Sequence, residues 1–159
     1  MTEQPEIAEP TTEPETLARL EETDPDAPLV GIIMGSQSDM DTMSSAQKVL
    51  DDAGVRSEIR VMSAHRDPET VAEYCKNARL RGLRVLIAGA GLSAALPGVA
   101  AAHTDLPVIG VPLSSRLSAA GGLDALLSVA QMPPGVPVAC VGLDNAKNAG
   151  HLALRILRS

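Results

Sequence analysis

The chain of 159 residues carries 20 acidic and 13 basic side chains, a formal net charge of −7, but residues 1 to 28 hold nine of the acids and one base, Arg19, so −8 sits there and the other 131 residues carry +1. A nearly neutral body with one Tyr and no Phe or Trp lacks the basic footprint and the stacking surfaces of a nucleic-acid binder. No apolar run approaches the roughly 20 residues that span a bilayer, and the acidic start lacks the basic and apolar regions of a secretion signal, so a cytoplasmic protein without a membrane partner is expected.

Residues 1 to 28 place Pro5, Pro10, Pro14, Pro25 and Pro28 among the acids, a composition with too little apolar surface to offset chain entropy. A disordered N-terminal extension is expected there. Thr16 to Glu22 has a helical composition but is too short to hold a helix alone. From residue 29 to 159 a single domain is expected, long enough to bury a core.

Strand-length apolar runs then recur at Leu29 to Met34, Val55 to Met62, Arg84 to Ala88, Pro107 to Val111 and Val136 to Val141, mostly too continuous for a sheet with one face in water. Helical spacing falls between and after them, at Asp39 to Ala53, Pro68 to Arg81, Ser93 to Ala102, Leu123 to Val129 and Asn145 to Leu157. Asp67 before Pro68 reads as a helix start, and Gly54 and Gly82 stand where helices should stop. Strands alternating with helix-length crossovers predict a three-layer, doubly wound α/β domain on a parallel five-stranded sheet.

In such folds ligands bind beyond the carboxyl ends of the strands. Gly35-Ser36-Gln37-Ser38-Asp39 follows the first run; backbone N–H groups and two hydroxyls at a helix start suit phosphate, while Asp39 repels phosphate and suits ribose hydroxyls. Its plainer reading is a helix cap by Ser38 or Asp39. Ser63-Ala64-His65-Arg66 follows the second run. Histidine exchanges protons near neutrality and arginine grips phosphate or carboxylate, so His65 is the catalytic candidate, against a plain solvated turn into the next helix.

Gly89-Ala90-Gly91-Leu92-Ser93-Ala94 fits a G-x-G-x-x-A dinucleotide pattern, but no acid for a ribose ends the next strand at Val111 to Ser115. The glycines are read instead as close backbone approach to a small ligand. A fourth loop, Pro112 to Gly122, is rich in Ser, Ala and Gly. His103 and His151 fall in or at the ends of helices and read as caps, surface residues or subunit contacts. Cys75 and Cys140 read as small buried hydrophobes. No His or Cys spacing suits a metal, and no cofactor is expected.

Six segments, Met34 to Asp39 (MGSQSD), Ser63 to Pro68 (SAHRDP), Ala88 to Gly98 (AGAGLSAALPG), Pro107 to Pro112 (PVIGVP), Gly122 to Ala139 (GLDALLSVAQMPPGVPVA) and Lys147 to Leu157 (KNAGHLALRIL), resemble the phosphoribosylaminoimidazole carboxylase family. The resemblance implies a flavodoxin-like sheet and a cofactor-free step of purine synthesis in a homo-octamer. In the common bacterial members, 5-(carboxyamino)imidazole ribonucleotide mutases, the carboxylate on the exocyclic nitrogen moves to carbon 4 of the imidazole through carbon dioxide released and recaptured in a closed site. Carried onto this chain, the resemblance implies His65 as the acid-base. It implies Ser36, Ser38, Ser63 and Arg66 for phosphate and Asp39 for ribose. Ala90 and Gly91 would cradle the ring and carbon dioxide, and Ala64, Ser93 and Leu96 complete the substrate-binding set.

One departure bears on the reaction. The usual bacterial third motif has a histidine where this chain has Ala95, and Gly-Ala where it has Leu92-Ser93. Animal-type members, which carboxylate aminoimidazole ribonucleotide directly, also lack that histidine and carry a serine at the position of Ser93. The mutase is the first expectation, with the direct carboxylase and a ribonucleotide-binding module without turnover as alternatives.

Overall fold

Residues 24–159 are described by a computed structural model; the short helix and most of the disordered extension expected over residues 1–28 lie outside the described residues, while at its described end Ala27 N–H donates to the Asp24 carbonyl at 2.8 Å in a turn. Val30 to Met34 of the first apolar run are all buried and form β1 (Val30–Met34), with Leu29 half-buried ahead of it. β2 (Ser57–Val61), β3 (Val85–Gly91), β4 (Val108–Leu113) and β5 (Ala139–Cys140) follow in chain order. The crossovers carry α1 (Met40–Asp52), α2 (Pro68–Lys76), α3 (Leu96–Ala102) and α4 (Leu123–Ala130), with α5 (Ala146–Arg158) after β5. All four strand pairings are parallel, in the order β2-β1-β3-β4-β5. The expected parallel α/β fold is present.

Alternation along the central strands divides the core between the two faces. Ile33, Leu86 and Ala88 pack under α2, α3 and α4, with Val71, Tyr74, Leu96, Ala100, Ala125 and Val129. Ile32, Met34, Val85 and Ile87 pack under α1 and α5, with Met43, Ala46, Leu50, Ala149 and Ala153. Buried on both sides, the strands have no polar face to show, which is why their sequences read as unbroken apolar runs.

The helix signals hold in detail. Asp67 Oδ1 accepts from Thr70 N–H at 3.3 Å ahead of Pro68, and Gly54 and Gly82 adopt φ of 71° and 93°, a conformation that ends helices at little cost only for glycine.

The sheet edges depart from expectation. β2 is half-exposed rather than buried because its outer side has no neighbour. β5 shrinks to two residues: Gly135 turns the chain at φ 90°, and Pro137 has no N–H to give a ladder. β3 runs on through Ala90 and Gly91, which pair with Pro112 and Leu113, so α3 begins at Leu96 rather than Ser93.

Edge strand β2 is secured to α2 by a polar cluster. Glu58 accepts from Tyr74 Oη at 2.7 Å, Arg81 at 2.6 Å and Arg60 at 2.9 Å. Both guanidiniums lie over the Tyr74 ring, Arg60 at 5.7 Å and Arg81 at 5.2 Å from its centroid. Burial pushes the Glu58 carboxyl up, but the hydrogen bonds from Arg81, Tyr74 and Arg60 outweigh it and hold the group below its ordinary value.

Candidate functional site at the carboxyl edge

The strand register brings the predicted loops to one edge. Met34 pairs with Val61 on one side and Gly89 on the other, and Gly89 pairs with Val111, so four strands finish nearly level. Beyond that row lie Ser63 to Arg66, Ser36 to Asp39, Gly91 to Ala95 and Ser114 to Gly122, in the spatial order of β2, β1, β3 and β4.

In the loop after β1 the chain rises from an extended Ser36 (φ −148°, ψ 148°) into a short 3-10 turn and then α1. Ser36 Oγ accepts from Ser38 N–H at 3.3 Å and lies 2.9 Å from Ser38 Oγ. The cap is therefore Ser36 and not Ser38 or Asp39, the latter making no side-chain cap bond. Two hydroxyls gathered over a helix start form a donor set suited to an anion. Burial pushes the Asp39 carboxyl above its ordinary value, against a backbone hydrogen bond from Ser36 that pulls it down.

After β2, Ser63 closes a tight turn: its Oγ accepts from Arg66 N–H at 3.3 Å and its carbonyl accepts from Asp67 N–H at 2.9 Å. The turn packs Ala64 against the core and leaves His65 and Arg66 exposed, open to a ligand at the edge.

The third loop is mostly backbone. A Cβ on Gly91 would sit 2.9 Å from the Leu113 carbonyl, closer than real side chains come, so glycine is what allows β3 and β4 to end side by side. Leu92 then takes φ 53° with its side chain 42% exposed, a left-handed shape unusual for a bulky residue. Ser93 is exposed and Ala95 half-buried. Leu96 points into the core at 2% exposure, so what it offers a ligand is its backbone.

Two groups at this edge escaped the sequence reading. Ser114 N–H donates to Asp144 Oδ1 at 2.8 Å, and its hydroxyl donates to Oδ2. The only signal for Asp144 was a short polar residue beside Asn145 ahead of a helix, which reads as a cap. The remaining candidates stay outside the four loops. His103 caps the end of α3 and His151 lies on the exposed face of α5. Burial pushes the Cys75 thiol up to about 12; Cys140, expected to be buried too, is only half-buried in β5, and the burial it has raises its thiol as well. Among the described residues, no group of three or more His, Cys, Asp or Glu comes together as a metal site needs, and no helix is long and apolar enough to cross a membrane.

Known proteins resemble this chain in sequence and in fold. The N5-carboxyaminoimidazole ribonucleotide mutase of Pyrococcus horikoshii is 59% identical over 130 residues, covering 82% of this chain and 72% of that protein. The phosphoribosylaminoimidazole carboxylase of Schizosaccharomyces pombe is 53% identical over 132 residues, 83% of this chain but 24% of that much longer protein. Among solved structures, PurE of Treponema denticola superposes with a TM-score of 0.71 at 34% identity, covering 82% of this chain and 80% of that one. The AIR carboxylase family model matches residues 29–159, the span that holds every strand and all four loops. With that match, the level strand ends and the loops that leave them, the chain belongs to the AIR carboxylase family.

Proposed function

We propose that this chain converts 5-(carboxyamino)imidazole ribonucleotide to 4-carboxyaminoimidazole ribonucleotide in purine synthesis, and that residues 29–159 are the catalytic unit with residues 1–28 outside it. The observation that carries this reading is the 59% identity to a protein named for that activity, over a span containing all four loops. Ser36, Ser38, Ser63 and Arg66 take the phosphate, and Asp39 takes the ribose hydroxyls. Ala64, Ala90, Gly91, Ser93 and the Leu96 backbone line the imidazole.

The chemistry needs little more than a shaped pocket and one proton carrier. The carbamate N–C bond breaks, carbon dioxide leaves, and the exocyclic nitrogen keeps the electron pair and takes a proton from His65. Carbon 4 then attacks the carbon dioxide, and His65 removes the ring proton. A glycine-lined cradle closed to water during the reaction keeps the carbon dioxide within reach. The working assembly is a cytoplasmic homo-octamer.

Replacing His65 by Asn, which keeps a polar side chain of similar reach but cannot carry the proton, tests the assignment. Conversion of the carboxyamino substrate is expected to fall by about 10²–10⁴ with folding unchanged; undiminished turnover would remove His65 from the mechanism. Ala95 and Ser93 favour a second reading, direct carboxylation of aminoimidazole ribonucleotide, in line with the name of the fission-yeast relative. That reading predicts product from aminoimidazole ribonucleotide at low bicarbonate.

A further inference from the structure

The end of β4 is held from a fifth loop, between β5 and α5. Asp144 there adopts φ 57°, a left-handed shape that short polar side chains tolerate better than most. The shape turns both carboxylate oxygens onto Ser114. Oδ1 accepts the backbone N–H at 2.8 Å and Oδ2 accepts the hydroxyl in a short hydrogen bond. Asp144 N–H in turn donates to the Pro112 carbonyl at 2.8 Å, so one residue grips β4 on both sides of Leu113. Leu143, next to Asp144, packs against the far end of the loop after β4, 2.7 Å from where a Cβ on Gly122 would sit.

Leu113, held between those contacts, is the residue whose carbonyl lies against Gly91. Ser114 is one residue beyond Leu113, and Leu92 is one beyond Gly91. The two therefore leave the ladder side by side, and the place of Asp144 passes through Ser114 and Leu113 to the backbone at Gly91 and Leu92.

We propose that Asp144 is a positioning residue that sets how closely β4 seals the glycine-lined cradle, and thereby whether released carbon dioxide is recaptured. This rests on the mutase reading. In that reaction, once the N–C bond has broken and the nitrogen has been protonated, carbon dioxide either bonds to carbon 4, which then gives up its proton, or leaves. Escape ends the sequence at aminoimidazole ribonucleotide. Asp144 acts on this partition, and the proton transfers stay with His65.

The test supplies the full chain with carboxyaminoimidazole ribonucleotide and measures both products above uncatalysed breakdown. Asp144→Gly removes both hydrogen bonds yet accepts the left-handed backbone, and is expected to raise the ratio of decarboxylated to carboxylated product about tenfold. Ser114→Ala removes only the hydroxyl bond and should shift the ratio in the same direction by less. Asp144→Asn can still accept from the Ser114 N–H and donate to its hydroxyl oxygen, so it restores the wild-type ratio. A merely structural role changes the melting temperature or the folded fraction but leaves the ratio alone. An unchanged ratio in Ser114→Ala and Asp144→Gly therefore overturns the proposal, as does an Asp144→Asn enzyme that partitions like Asp144→Gly. Should Asp144→Gly not fold, Ser114→Ala decides by the same criterion. Absence of carboxylated product from the wild-type chain instead removes the mutase reading, and this proposal with it.

Discussion

Gly91 and Leu92 sit one after the other where β3 ends, and they respond to substitution in opposite directions. A side chain at Gly91 meets the Leu113 carbonyl at 2.9 Å, and a backbone carbonyl on the neighbouring strand cannot swing aside. Gly91→Ala is expected to cost about 1–3 kcal/mol in denaturant unfolding, the range of overpacked positions, and to lower kcat/KM by spreading the strand ends. A fully active, undisturbed variant would contradict the close approach. Leu92 is the reverse case: its φ of 53° strains a branched side chain that is already 42% exposed. Leu92→Gly is expected to gain about 1 kcal/mol of stability, the sign and size of relieving a left-handed non-glycine residue. The glycines around residue 90 read in the sequence as close approach to a small ligand, whereas the close approach at Gly91 is to the backbone of β4. The strain at Leu92 did not show there, because φ at one residue depends on how its two flanking segments are anchored. Ser114 and Asp144 were hidden for a related reason: 30 positions apart in the chain, they meet only because β4 and the loop after β5 end at the same edge.

At the level of elements, the central strands were legible because burial on both faces leaves only apolar residues, and the edges were not. β2 (SEIRV) has one strand neighbour where β1 (VGIIM) has two, and Glu58 on it carries the cluster that ties it to Tyr74 and Arg81. That carboxyl is held below its ordinary value although burial opposes it, because Arg81, Tyr74 and Arg60 donate to it. A depressed folded-state value means that the stabilising contribution is whole above the ordinary value near 4.5 and is lost as pH falls through the lower folded one. Thermal melts of the wild-type chain should therefore fall off below that pH, and the Glu58→Gln variant should start lower and fall off less. Parallel curves would show that the cluster contributes nothing to the acid limb. Tyr74→Phe removes one donor to Glu58, about 1 kcal/mol of stability, and brings the loss of the Glu58 contribution to higher pH. β5 illustrates the other limit of the sequence reading: a six-residue apolar run became a two-residue strand once Pro137 withheld its N–H.

Across the whole molecule, the −7 of the full chain misstates the surface that a substrate meets. Residues 1 to 28 carry −8 and fall outside the match to the family, which begins at residue 29. A chain beginning at Ala27 is expected to fold and turn over as the full chain does, measured by melting temperature and kcat/KM; a loss of activity would place the acidic segment within the working enzyme. What is left is a nearly neutral domain whose serine-lined helix start and exposed Arg66 stand at one edge, an arrangement suited to an anionic ribonucleotide. The loops were legible from the sequence, whereas the choice between two carboxylation reactions turns on Ala95 and Ser93 and is a matter of chemistry. The most direct measurement gives the purified full chain each substrate separately. The mutase account predicts 4-carboxyaminoimidazole ribonucleotide from the carboxyamino compound without ATP or added bicarbonate. Product formed only from aminoimidazole ribonucleotide and bicarbonate, or from neither substrate, would contradict it.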